Sequence, residues 1–176
     1  MRVTGGALVR RPLDAPKGGR TRPTSDRVRE ALFSVLGARL DLGGARVLDL
    51  FAGSGALGLE ALSRGAAHAT FVEHHGPTLA VARRNARSLG VAERADFVRA
   101  DALAWLGRAS GPFDLVLADP PYALLEVASL PSLARPRLAP DGLFVLEHDG
   151  RHAFDDAEGH VLSRAYGGTT VSLFAA

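Results

Sequence analysis

The chain of 176 residues contains no cysteine, so disulfides and thiolate metal centres are excluded. No stretch approaches the roughly 20 consecutive apolar residues that a membrane helix requires. The amino terminus also lacks the apolar core of a secretory leader. Both absences point to a cytoplasmic protein that does not enter a membrane. Lysine is nearly missing, with Lys17 the single example, but this preference for arginine is a compositional bias from which no function is read. Internal repeats and low-complexity segments are absent too. What is present is ordinary for a globular chain: 47% apolar and 23% charged residues, in a length that suits one domain with one sizeable core.

The net charge of +2 conceals an asymmetry. Residues 1–29 hold eight basic side chains against Asp14 and Asp26, a net of +6, which leaves the remainder at −4. Arginine and lysine on phosphates release condensed counterions, so a basic segment on a mildly acidic body suits a polyanionic partner. Arg10, Arg11, Lys17 and Arg20 are the candidate contacts. Charge alone allows a merely solvated arm just as well.

Glycine, proline and arginine dominate residues 1–22, which read as a short β-hairpin over 2–4 and 7–10 followed by a loop. Thr24 or Ser25 can cap a helix whose apolar residues Val28, Ala31, Leu32, Val35 and Leu36 share one face. From residue 46 onward strands and helices alternate. Strands are expected at 47–51, 69–73, 96–99, 113–118 and 143–147, with helices at 56–64, 78–89, 102–107 and 124–138. Pro131 and Pro136 should split the last helix. Two closing strands, 160–166 and 169–173, flank Gly167-Gly168 as a hairpin. This order predicts a doubly wound α/β fold with a mostly parallel sheet and an antiparallel edge.

Gly53, Gly55 and Gly58 form a G-x-G-x-x-G pattern between a strand and a helix, where missing Cβ atoms let the backbone approach a ligand. A tight strand-to-helix turn would use the same residues, and the pattern suits either a dinucleotide or S-adenosylmethionine. Three acids narrow the choice. Asp49 lies inside the first strand, Glu73 ends the second and Asp101 ends the third. They fall at the same sheet edge, where open α/β sheets bind ligands. Glu73 is placed for ribose hydroxyls and Asp101 for an adenine amine. Asp49 just below the loop would repel a pyrophosphate but suits a cationic amino-acid tail. S-adenosylmethionine is therefore the expected cofactor. A metal site at His74-His75 is not expected, because adjacent side chains diverge.

Asp119-Pro120-Pro121-Tyr122 follows the fourth strand at that same edge. An exocyclic amine on an aromatic base is a poor nucleophile, because its lone pair is delocalised into the ring. A carboxylate and a carbonyl that both accept from the amine free that lone pair for attack. Asp119 and the Pro120 carbonyl can do this in a loop stiffened by two prolines, while Tyr122 stacks on the base. A plain proline-rich turn is the alternative.

Arg22-Pro23-Thr24-Ser25-Asp26-Arg27-Val28-Arg29-Glu30 and the run from Asp49 to Gly65 resemble the RsmD-type family of class I methyltransferases, and the likeness extends over almost the whole chain. The family methylates N2 of a guanine in 16S ribosomal RNA. The resemblance implies a Rossmann-like sheet of seven strands and a partner that is 16S rRNA or the small ribosomal subunit. It adds Phe51, Ala52, Gly53, Ser54, Gly55 and Ala102 to the cofactor contacts, puts Arg22 and Thr24 at the methionine end, and packs His74 on the adenine. Residues 1–22 become an RNA-contacting extension of a methyltransferase domain over 23–176, in a monomer. The tetrapeptide itself is shared with adenine-N6 and cytosine-N4 enzymes. Three further readings stand beside this one: the same chemistry on DNA adenine or a protein glutamine amide, a nicotinamide-dependent oxidoreductase, and a non-catalytic RNA-binding module.

Overall fold

A computed structural model describes residues 1–16 and 25–176. Strand residues alternate between two apolar layers. Val47, Ala69, Phe71, Leu115, Leu117, Leu143 and Val145 belong to one buried cluster. Their neighbours Leu48, Leu50, Val72, Val116, Phe144 and Leu146 belong to another. That period-two pattern, apolar on both sides, belongs to a sheet covered on both faces.

The sheet comprises β1 (Arg46–Leu50), β2 (His68–Val72), β3 (Ala95–Val98), β4 (Phe113–Ala118), β5 (Leu138–His148), β6 (His160–Tyr166) and β7 (Thr169–Ala175). Its order is β3-β2-β1-β4-β5-β7-β6. The first five strands are parallel, and β7 returns antiparallel between β5 and β6. This is the expected Rossmann-like architecture. On one face lie α1 (Asp26–Gly37), α2 (Ala56–Ser63) and α3 (Gly76–Leu89), and on the other α4 (Ala102–Leu106) and α5 (Leu130–Ala134). The Ser25 side chain caps α1 by accepting from the Val28 N–H at 3.2 Å.

Three expectations need adjustment. The N-terminal segment is not a two-stranded hairpin: one antiparallel bridge, Arg2 with Pro12, joins its ends, and turns fill the space between. Pro12 has no N–H to extend a ladder, and Arg10 sits in the left-handed region at φ 69°. The helix expected over 124–138 contracts to α5 between two 3₁₀ turns, Leu125–Ser129 and Arg135–Arg137, because the prolines interrupt its ladder. Finally, β1, β2 and β3 each end one residue early, which leaves Phe51, Glu73 and Arg99 in the loops that follow, and β5 begins five residues early, at Leu138.

Candidate active site

The turn between β1 and α2 is wound in the left-handed region at Phe51 (φ 55°), Gly53 (φ 57°) and Gly55 (φ 79°). A bulky residue such as Phe51 adopts that conformation only when its surroundings impose it. Here the Ala52 N–H donates to the Val72 carbonyl at 3.0 Å, and the Gly55 N–H donates to the Ala52 carbonyl at 2.7 Å. Among the described residues, a Cβ on Gly53 would meet nothing nearer than the Phe51 carbonyl at 3.8 Å. Gly58 is different: a Cβ there would come within 2.5 Å of the Phe71 ring. Its absence lets α2 settle on the sheet, where the Gly58 N–H donates to Asp49 Oδ2 at 2.9 Å.

Asp49 is 1% exposed. Burial pushes its carboxyl well above the usual carboxylate range against that one hydrogen bond, and the nearby Asp119 and Glu73 push it the same way. Glu73 and Asp119, both singled out from sequence, thus lie within electrostatic reach of Asp49, at the carboxyl ends of β2 and β4 beside that of β1. Glu73 is buried and already engaged. Its Oε2 accepts from the Gly53 N–H at 3.1 Å, and its Oε1 from the His75 N–H at 2.8 Å. The exposed His74 ring adds Nδ1 to Oε1 at 3.1 Å. Of roughly four lone-pair positions on a carboxylate, the described residues leave one open, and a second opens if His74 swings away.

Asp101 lies in the turn between β3 and α4. It is exposed and caps α4, its Oδ1 accepting from the Ala104 N–H at 2.8 Å, with Ala102 buried beneath it.

The tetrapeptide leaves β4 with Asp119 partly buried and Pro120 buried, then turns outward at Pro121 and Tyr122. Tyr122 is 50% exposed, and the turn closes with the Leu124 N–H on the Pro121 carbonyl at 2.8 Å. Sequence reasoning overlooked its neighbour across the site. Arg151, in the loop after β5, donates from Nη2 to the Tyr122 carbonyl at 3.0 Å. The polar run Glu147-His148-Asp149 at the end of an apolar strand was the available signal.

The model for the family described as Conserved hypothetical protein 95 matches residues 1–175. The chain belongs to this family, the RsmD type. Among its relatives is "Putative rRNA methyltransferase YlbH" of Bacillus subtilis, 36% identical over 182 residues, which cover 99% of this chain and 98% of that protein. "Ribosomal RNA small subunit methyltransferase D" of Escherichia coli is 42% identical over 128 residues, or 72% of this chain, and the match spans 63% of that protein's length. A solved Escherichia coli structure titled "Putative methyltransferase yhhF" superposes with a TM-score of 0.85 at 33% identity, covering 99% of this chain and 97% of that one.

In this family member the N-terminal segment through residue 16 is docked on the face of the sheet that α1, α2 and α3 cover. Val3 and Leu13 are buried in the same cluster as α1 and α2. Glu60 of α2, fully buried, accepts from the Thr4 N–H at 2.8 Å and the Thr4 hydroxyl at 2.7 Å, and pairs with Arg29 at 3.3 Å and Arg64 at 2.9 Å. Asn85 of α3, also buried, bonds both backbone groups of Asp14 and donates to the Ser54 carbonyl at 2.9 Å. Neither residue was singled out from sequence, because a lone polar residue in a helix carries no local mark of its partner. Arg10 and Arg11 are exposed, and Arg11 reaches the Ser88 carbonyl at 2.9 Å. Lys17, Arg20, Arg22 and Thr24 lie outside the described residues.

Proposed function

We propose that the protein transfers a methyl group from S-adenosylmethionine to the exocyclic N2 amine of a guanine in small-subunit ribosomal RNA. The observation that carries the reading is the convergence of Asp49, Glu73 and Asp119 at one sheet edge, with the glycine loop between the first two and the tetrapeptide beside the third.

The donor set fits the cofactor. Asp49 offers a buried acid to a cationic amino-acid tail, the glycine loop offers backbone without Cβ atoms, and Glu73 offers an open acceptor position to ribose. Rotation of His74 off Glu73 and onto the adenine would open the second position. When bound, S-adenosylmethionine supplies a methyl carbon made electrophilic by its sulfonium. The chain's own part is to orient the acceptor. Asp119 and the Pro120 carbonyl accept from the two N–H bonds of the amine, turning its lone pair toward that carbon, and Tyr122 stacks on the base from its exposed position. The amine forms the new N–C bond as the C–S bond breaks, and its surplus proton leaves afterwards, when its acidity has risen. Asp119 therefore need not be a strong base.

The basic N-terminal segment, docked through Glu60 and Asn85, is the proposed RNA-contacting part, with Arg10 and Arg11 exposed on it. An rRNA substrate accords with a cytoplasmic location, and a single copy suffices because every group invoked comes from one chain. No described helix is long and apolar enough to cross a membrane.

The test is transfer of labelled methyl from S-adenosylmethionine to small-subunit particles and to stripped 16S rRNA, followed by nucleoside analysis. Label in N2-methylguanosine is the expected result. Label in a methylated adenosine would move the reaction to another amine, and absence of label from both substrates would sink the proposal.

A further inference from the structure

The loop after β5 lies beside the exit of β4, because the two strands run parallel in register as far as Ala118 and Leu146. Its base is tied down across three strands. His148, 3% exposed at the end of β5, accepts the Gly150 N–H on Nδ1 at 3.2 Å, which leaves the proton on Nε2. From Nε2 it donates to Ser172 Oγ on β7 at 2.9 Å. Ser172 and Ser163 of β6 are 2.7 Å apart through their hydroxyls, and Ser163 meets His160 at 2.9 Å. Phe154 packs edge-on against the His148 ring, with centroids 5.1 Å apart.

On this base stand Asp149 and Arg151. The Arg151 backbone N–H donates to Asp149 Oδ1 at 3.1 Å, and its Nε and Nη2 both meet Asp149 Oδ2. The guanidinium holds the Asp149 carboxyl below the usual carboxylate range. The same Nη2 reaches the Tyr122 carbonyl at 3.0 Å, at the last residue of the tetrapeptide. The guanidinium therefore bridges an anchored loop and the peptide that carries the stacking residue.

We propose that Arg151 is a positioning residue for the acceptor loop, oriented by Asp149, which fixes the peptide after Pro121 so that Tyr122 and the Pro120 carbonyl keep their places. The role rests on the acceptor site proposed above. It calls for a planar fork that can serve Asp149 and the Tyr122 carbonyl at once, which a lysine ammonium on a flexible stem does not provide. Since the Arg151 side chain is 70% exposed, a phosphate contact is the competing role, and the two differ in kinetics.

The experiment compares wild type, Arg151→Ala, Arg151→Lys and Asp149→Asn in single-turnover methylation of small-subunit particles at saturating cofactor. The rate at saturating RNA should fall about 10- to 100-fold in Arg151→Ala. Lysine should recover little of it, Asp149→Asn should fall between, and the RNA KM and its salt dependence should hold. A loss confined to RNA KM with a shallower salt slope would make Arg151 a phosphate contact and overturn the positioning role, as would unchanged kinetics. Amide hydrogen exchange over residues 122–125 gives a readout independent of any acceptor. The bridge predicts faster exchange there in Arg151→Ala at an unchanged melting temperature, and equal exchange overturns it. If wild type methylates no RNA while the exchange difference is present, the acceptor reading fails and the bridge stands.

Discussion

The two halves of the carboxyl edge are built on opposite principles. On the β1–β2 side, Asp49, Ser54, Gly55 and Glu73 are buried, and the turn is held by backbone hydrogen bonds to Ala52 and Val72 and by Glu73 on the Gly53 N–H. On the β4–β5 side, Pro121, Tyr122 and Arg151 are exposed, and a side-chain bond from Arg151 to the Tyr122 carbonyl ties the tetrapeptide to the next loop. A small cofactor can enter a shell of fixed backbone. A base presented by a particle as large as a ribosomal subunit has to meet groups that project outward. On the proposed function, the buried half is preorganised for a ligand that never changes, and the exposed half trades rigidity for access.

The sharpest way to break that comparison is to remove Asp119. Replacement by alanine should lower turnover by about a thousandfold or more, because the amine loses the acceptor that directs its lone pair. Cofactor dissociation, measured by calorimetry, should change little. Equal damage to both quantities would mean that the two halves do not divide the work as proposed.

Glu73→Ala is the converse. It removes the proposed ribose acceptor together with the partner of the Gly53 N–H, so the cofactor Kd should rise about 10- to 100-fold, while turnover at saturating cofactor stays near wild type. An unchanged Kd would take Glu73 out of the site.

How much of this was legible in sequence follows the same division. The succession of strands and helices came through because apolar runs and glycine punctuation are local signals, and β4 matches its expected limits at Phe113 and Ala118. The strand ends did not, since Phe51 continues the apolar run of β1 and only its φ of 55° shows that it has left the sheet. Asp101 reads the same way as a helix cap or as a ligand group, and it does cap α4. Glu60 and Asn85 were not legible at all, and the polar end of β5 marked the neighbourhood of Arg151 without naming its partner. Their partners lie 56, 71 and 29 residues away, and a contact made by folding leaves no trace in spacing. The basic segment shows the limit of composition: its charge was plain, but its docking by the buried polar residues Arg29, Glu60, Ser63 and Asn85 was not.

That docking makes the third prediction smaller and more specific. Arg10 and Arg11 are exposed on a held surface, so changing both to alanine should weaken RNA binding without loss of melting temperature. Losing two phosphate contacts should flatten the dependence of log affinity on log salt by about 1.4 to 1.8. An unchanged slope would reduce these arginines to solvation.

The smallest expected effect concerns Asp49 and reaches the energetic basis of the buried half. Its carboxyl is held well above the usual range by burial, with Asp119 and Glu73 adding to the shift. A carboxyl raised in the folded state binds its proton more tightly there than in the unfolded chain. Its contribution to stability is therefore greatest at low pH and is lost as pH rises from about 3.9, the unfolded value, through the folded one. Asp49→Asn removes this cost: the amide oxygen can still accept from Gly58, and the amide N–H groups replace a charge that Asp119 and Glu73 oppose. At neutral pH the ligand-free variant should melt about 2–4 °C higher. The cationic cofactor should have the opposite preference. It favours ionised Asp49, so its affinity for wild type should climb with pH through the Asp49 transition and its binding should release a proton, detectable as a calorimetric heat that depends on the buffer's ionisation enthalpy. In Asp49→Asn both the climb and the buffer dependence should disappear as affinity falls. A variant that melts lower yet binds as tightly as wild type would show that Asp49 serves the fold of the loop and not the charge of its ligand.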